Sequence, residues 1–177
     1  MVLWAVATLG GAWAIREWAR RAIVRGLRAP RVPHAHVHDA FGLASDRVRR
    51  VCIPAVGGKQ LVGWLALPPQ ASITPAPAVL VMHGWGANAS MMGPVVPPLH
   101  AAGFAVLLVD ARCHGHSDDE PFTSMPRFAE DIAAGLAWLR QQPHIAADQI
   151  ALLGHSVGAA AALLHACLLY TSDAADE

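Results

Sequence analysis

The sequence predicts an α/β domain of the doubly wound class, and three observations predict it. The runs "AVLVMH" (Ala78–His83) and "AVLLVD" (Ala105–Asp110) are apolar without alternation, as strands covered on both faces of a parallel sheet require. Stretches of helical character separate the apolar runs, which gives the strand and helix alternation of crossover connections. A Gly-x-Ser-x-Gly pattern, Gly154 to Gly158, falls where a further apolar run passes into a helix.

Composition agrees with one folded core. The chain has 177 residues, 54% of them hydrophobic and 15% charged, which excludes a disordered polypeptide. A formal net charge of zero argues against a nucleic-acid partner, because phosphate binding needs a basic surplus. Cys52, Cys113 and Cys167 are widely separated and match neither a disulfide framework nor a zinc site. No metal and no other cofactor is expected.

Taken in order, residues 1–28 form a hydrophobic and basic helix. Val2 to Ile15 carry no charge, and Arg16, Arg20, Arg21, Arg25 and Arg28 follow against Glu17 alone. A secretory signal would place its basic residues before the apolar run, and fourteen uncharged residues are short for a span. The reading is a membrane anchor or an interfacial helix with the domain on the cytoplasmic side; a helix packed on a domain that is soluble in the cytoplasm or exported is the alternative. Trp4, Trp13 and Trp18 suit either.

Residues 29–47 read as a linker, rich in proline and polar residues to Asp39. Its "HAHVH" would set His34, His36 and His38 on one face if extended, but a solvated linker is the stronger reading than a metal site. The domain proper spans 48–166. Val48–Pro54 and Leu61–Leu67 alternate and are joined through Gly57 and Gly58, a β-hairpin. A short helix ends near Gly103. A longer one over 126–142 lines up Phe128, Ile132, Leu136 and Leu139, with Ser124 as cap, Pro126 in the first turn, and Glu130 and Asp131 on the solvated face. Gln149–His155 reads as another buried strand and the stretch after it as a helix.

The chemistry concentrates at Ser156. A nucleophile elbow needs a serine in a sharp strand-to-helix turn with small residues two before and two after it, and Gly154 and Gly158 supply them. Such a turn raises the hydroxyl above the first amides of the helix, so the Val157 N–H is one candidate oxyanion donor. The second is the Trp85 N–H, in the "HGWG" loop His83–Gly86, where Gly84 and Gly86 let the chain fold closely. His155 reads as packing in the elbow, and His114 and His116 as loop residues.

From Val48 to Ala166 the order hairpin, strand with HGWG, strand with "DARCHGHSD", long helix, strand with GHSVG resembles the α/β-hydrolase fold, about five strands of its N-terminal portion. It is most similar to bacterial serine aminopeptidase and monoglyceride lipase-like hydrolases. In the D-x-R-G-x-G-x-S signature of that group, Asp110, Arg112, Gly115 and Ser117 align, with Cys113 where glycine is usual. The resemblance implies a serine hydrolase that acts on a small-molecule or peptide ester or amide through an acyl-enzyme. An acyltransferase and a non-catalytic binding module of the same fold are its rivals.

The resemblance also implies a later acid and a late histidine. Neither has a place before Ala166, so a C-terminally truncated fragment that hydrolyses nothing useful is expected. Residues 167–177, "CLLYTSDAADE", back-translate to a sequence that looks like a transposase adapter from library preparation, and are expected to be non-native.

Overall fold

The computed structural model describes residues 2–35 and 40–173. Its first element is helix α1, Val2–Gly26. Trp13, Ile15, Trp18 and Ile23 on it are between 64 and 69% exposed, whereas Val24, nearer its end, is half-buried. Glu17 pairs with Arg20 and Arg21 within the helix. No described helix is long and apolar enough to cross a membrane.

The strands and helices of the domain follow one another along the chain in the predicted order. Strands β1 (Val48–Ala55) and β2 (Lys59–Ala66) form the antiparallel hairpin, in register Ala55 to Lys59. Gly57 and Gly58 close it with φ of 74° and 71°, a conformation that costs glycine little and other residues more. Strand β3 (Ala76–Met82) leads through a 3₁₀ stretch into α2 (Val96–Ala101), and β4 (Ala105–Val109) returns. Helix α3 (Met125–Arg140), strand β5 (Ile145–Gly154) and helix α4 (Val157–Asp173) complete the described chain. Ser124 caps α3 by accepting the Arg127 N–H.

Strand order is β1-β2-β4-β3-β5, with β4, β3 and β5 parallel. Alternate residues of the central strands face two cores. Leu80, Met82, Leu107 and Val109 meet Phe128, Ile132, Leu136 and Leu139 of α3 on one side. Val79, Val81, Val106 and Leu108 meet Phe41, Trp64 and Val96 on the other. Each such side chain contributes about 1.5–3 kcal/mol when fully buried. The parallel arrangement brings the carboxyl ends of β3, β4 and β5, and the loops that leave them, to one edge of the molecule.

Three expectations change. Strand β5 is not fully buried: Ala151 is exposed and Leu152 and Leu153 half-buried, because among the described residues β5 pairs with β3 alone. Asp131 is not solvated but buried, because the Arg112 guanidinium turns back onto it, Nε donating to Oδ1 at 2.7 Å and the Arg112 N–H to Oδ2 at 2.8 Å. Glu130 remains half-exposed. Where prolines suggest a free linker, residues 27–35 lie as a strap against the loops after β3 and β4. Leu27 O accepts from Thr123 N, Arg31 donates to the Gly115 and Ser117 carbonyls and Asp119, and Asn88 Nδ2 donates to Val32 O and Pro33 O. His36, His38 and Asp39 lie outside the described residues.

Candidate active site

Ser156 sits between the last residue of β5 and the first of α4 with φ of 53°, one of two described non-glycine residues in the left-handed region. The turn is tight enough to exclude side chains on both flanks. A Cβ on Gly154 would meet Ala159 N and the Gly158 backbone at 2.5 Å; one on Gly158 would meet Met82 O at 2.6 Å and His83 O closer still. Ser156 itself is exposed.

The HGWG loop lies directly against that turn. A Cβ on Gly84 would stand 3.2 Å from Ser156 Cβ and 3.1 Å from His155 Nδ1. Gly86, with φ of 66°, abuts Pro30 of the strap. The structure thus brings together Gly84, Trp85, Gly86, Gly154, Ser156, Val157 and Gly158, at the carboxyl ends of β3 and β5. The Trp85 side chain is partly exposed, and its amide donates to no described backbone acceptor. Val157 begins α4, so its N–H is one of the unpaired amides of a helix N-terminus. His155 is exposed, with its ring lying beside Gly84 of the facing loop.

The loop after β4 braces the other side. The Asp110 carboxylate is buried and accepts the Ala89 N–H, the His116 N–H and His34 Nε2, each at 2.8 Å. Burial pushes this carboxyl upward, but these donors outweigh it and hold it below its ordinary value. His34, Asp110 and His116 offer ring nitrogens and a carboxylate oxygen within 4.8 Å of one another. Because three N–H groups already occupy the carboxylate, they are a hydrogen-bonded cluster that ties the strap down. Ser117 Oγ donates to Asp110 O and accepts the Val62 N–H, which links β2 to β4. Cys113 holds the turn that glycine usually makes, at φ of 66°.

Two buried histidines join these loops. His83 touches both, donating from Nδ1 to Gly84 O at 2.7 Å and accepting the Ala111 N–H at Nε2 at 3.0 Å. Burial pushes its pKa down to about 4. His114 accepts the Gly86 N–H at Nε2, 3.1 Å away. Sequence reasoning placed His114 in the loop but not in contact with the HGWG backbone; the pairing joins residues far apart in the chain and has no periodic signal. His165, the one histidine after Ser156, lies about 13 Å further along α4.

Comparisons with known proteins agree with this geometry. The family model described as serine aminopeptidase, S33 matches residues 73–175. An uncharacterized protein of Mycobacterium tuberculosis is 36% identical over 115 residues, 65% of this chain and 40% of that protein. The polyketide transferase af380 of Aspergillus fumigatus is 31% identical over 118 residues, 65% of this chain and 39% of the relative. This chain therefore spans about 40% of the length of the curated relatives it matches. Among solved structures, the esterase Pf2001 of Pyrococcus furiosus superimposes with a TM-score of 0.65 at 26% identity, over 77% of this chain and 49% of the esterase. With the matched family model covering more than half of its residues, the chain belongs to the serine aminopeptidase S33 family of α/β-hydrolases.

Proposed function

We propose that Ser156 is the nucleophile of a serine hydrolase that cleaves an ester or amide, the small-molecule or peptide acyl group passing through an acyl-enzyme on its Oγ. Attack of Oγ on the carbonyl forms a bond to carbon and moves the π electrons onto oxygen. The N–H groups of Trp85 and Val157 receive that oxyanion; its collapse expels the alcohol or amine, which takes the proton that a base removed from Oγ, and water then attacks the acyl-enzyme to release the acid and restore the Ser156 hydroxyl. The left-handed Ser156 at the junction of β5 and α4, with Gly84 seated against it, is the observation that carries this reading. Residues held in strained backbone conformations cluster at active sites, and an exposed serine held so has no packing to account for it. The proton acceptor and its acid are assigned to the part of the family domain that this chain does not span. On this reading the chain alone hydrolyses no substrate at a useful rate, since losing triad partners costs on the order of 10⁴–10⁶.

Covalent labelling by a fluorophosphonate tests the proposal, using the chain extended by the rest of its family domain. Labelling is expected with Ser156 and lost in Ser156→Ala; labelling that survives the substitution removes Ser156 from the mechanism. The af380 relative, a polyketide transferase by name, favours one second reading, in which a hydroxyl rather than water takes the acyl group. Product analysis with an added alcohol separates hydrolysis from transfer.

We also propose that α1 binds the surface of an anionic membrane without crossing it. Its uncharged stretch Val2–Ile15 is followed along the helix by Arg16, Arg20, Arg21 and Arg25, with Trp13 and Trp18 exposed at that boundary, so acyl chains and anionic headgroups would meet successive parts of α1. Co-sedimentation with phosphatidylserine vesicles and not with phosphatidylcholine vesicles is expected, and equal recovery with both overturns the electrostatic reading.

A further inference from the structure

Two imidazoles hold the peptide planes on either side of Trp85. His83 Nε2 accepts the Ala111 N–H, so its proton is on Nδ1, which donates to Gly84 O. Gly84 O and the Trp85 N–H belong to one planar peptide unit, and fixing the first aims the second. His114 repeats the arrangement one peptide further on. Its Nε2 accepts the Gly86 N–H at 3.1 Å and its Nδ1 donates to Arg112 O at 3.0 Å. That second unit carries the Trp85 carbonyl. The Ala87 N–H also donates to Gly84 O at 3.2 Å, closing a turn over Trp85 and Gly86, so the imidazoles add to this turn the hold on both peptide planes that fixes the two backbone torsions of Trp85.

We propose that His114, acting with His83, is a positioning residue that aims the Trp85 amide by accepting the Gly86 N–H, and that protonation of His114 releases this hold. The proposal rests on the assignment of Trp85 as an oxyanion donor. The His114 ring is buried against the rings of His83, Trp85 and Phe128. The charged groups that bear on it are Asp110, which favours the imidazolium, and Arg31 of the strap, which opposes it. Burial dominates and lowers its pKa, as it does that of His83, so both rings are neutral acceptors at neutral pH. An imidazolium carries N–H on both nitrogens and accepts nothing, so a protonated His114 turns a donor toward the Gly86 N–H. A mispointed oxyanion donor costs on the order of 10²–10³ in rate.

NMR of the chain labelled with ¹⁵N tests the clamp without any turnover. At neutral pH both rings are expected as Nδ1–H tautomers with Nε2 unprotonated. On acidification the Trp85 and Gly86 amide resonances are expected to move with His114 in one shared transition. An Nε2–H tautomer at His114, or amides that stay still while His114 titrates, overturns the proposal. His114→Gln, whose amide oxygen can take the Gly86 N–H, is expected to keep the neutral-pH shifts and lose the transition; His114→Phe is expected to displace both amides at every pH. Should neither variant fold, the titration of the unaltered chain still decides. These readouts hold whether or not Trp85 ever meets an oxyanion, and Ser156 labelling does not depend on them, so the clamp and the oxyanion assignment fail separately.

Discussion

Ser156 and Cys113 are the two described non-glycine residues in the left-handed region, at φ of 53° and 66°, and their surroundings differ in an instructive way. Each conformation costs about 1–2 kcal/mol relative to an ordinary one. Cys113 recovers much of that locally: its side chain is buried and its Sγ accepts the Glu120 N–H at 3.2 Å. Ser156 recovers nothing comparable, because it is exposed and its hydroxyl has no described partner. The turn after β4 is strained and packed, whereas the turn after β5 is strained and left open. Packing accounts for the first, and the second fits the nucleophile proposed above.

The largest effect expected comes from closing the elbow. In Gly158→Ala the new methyl would press on Met82 O, 2.6 Å away, and on His83 O, both backbone atoms that cannot swing aside. Overpacking of this kind costs about 3 kcal/mol. Urea unfolding should show the midpoint fall with the slope kept. An unchanged midpoint would mean that helix and strand are further apart than described, and the elbow less strained.

Acid should separate the two turns by a comparable amount spread over pH. The folded pKa of His83 is lowered to about 4 by burial, against an ordinary value of 6.5. Between those values the unfolded chain binds more protons than the folded one, so stability is full above 6.5 and is lost as pH falls toward 4. That difference corresponds to about 3 kcal/mol. Charging His83 removes the acceptor of the Ala111 N–H in the turn after β4, while the elbow's own His155 N to Met82 O bond remains. Hydrogen exchange should therefore quicken at Ala111 before His155, and the reverse order would place the weak point in the elbow.

The two turns also differ in how far they can be read from sequence. Gly154, Ser156 and Gly158 stand at fixed offsets in one short segment, as do Gly84, Trp85 and Gly86, so each pattern is legible by itself, although the crowding at Gly158 and Gly84 comes from the other loop. Helix α3 was legible from its stripe, and the hairpin from Gly57 and Gly58. The brace around Cys113 was not. Asp131 looks like a solvated helix residue until Arg112, 19 positions away, folds onto it. The strap's bonds to Asn88, Ser117 and Thr123 run largely through backbone groups that every residue type carries. Strand β5 reads as buried because its residues are apolar, yet burial depends on which neighbours it has in the sheet.

The smallest expected effect bears most directly on the difference between the turns. Replacing each left-handed residue by glycine removes the same backbone strain and adds the same unfolded-state entropy, about 0.4–1 kcal/mol. Ser156→Gly gives up no described side-chain contact, so a net gain of about 0.5–1 kcal/mol is expected, with loss of fluorophosphonate labelling in the extended chain. Cys113→Gly forfeits the Glu120 bond and a buried thiol, so its stability should stay level or fall by up to about 1 kcal/mol. The sign of the difference between the two variants, measured by urea unfolding under one condition, is the decisive quantity. If Cys113→Gly gains more than Ser156→Gly, then packing does not compensate the turn after β4, and backbone strain ceases to mark Ser156 as the functional residue of the pair.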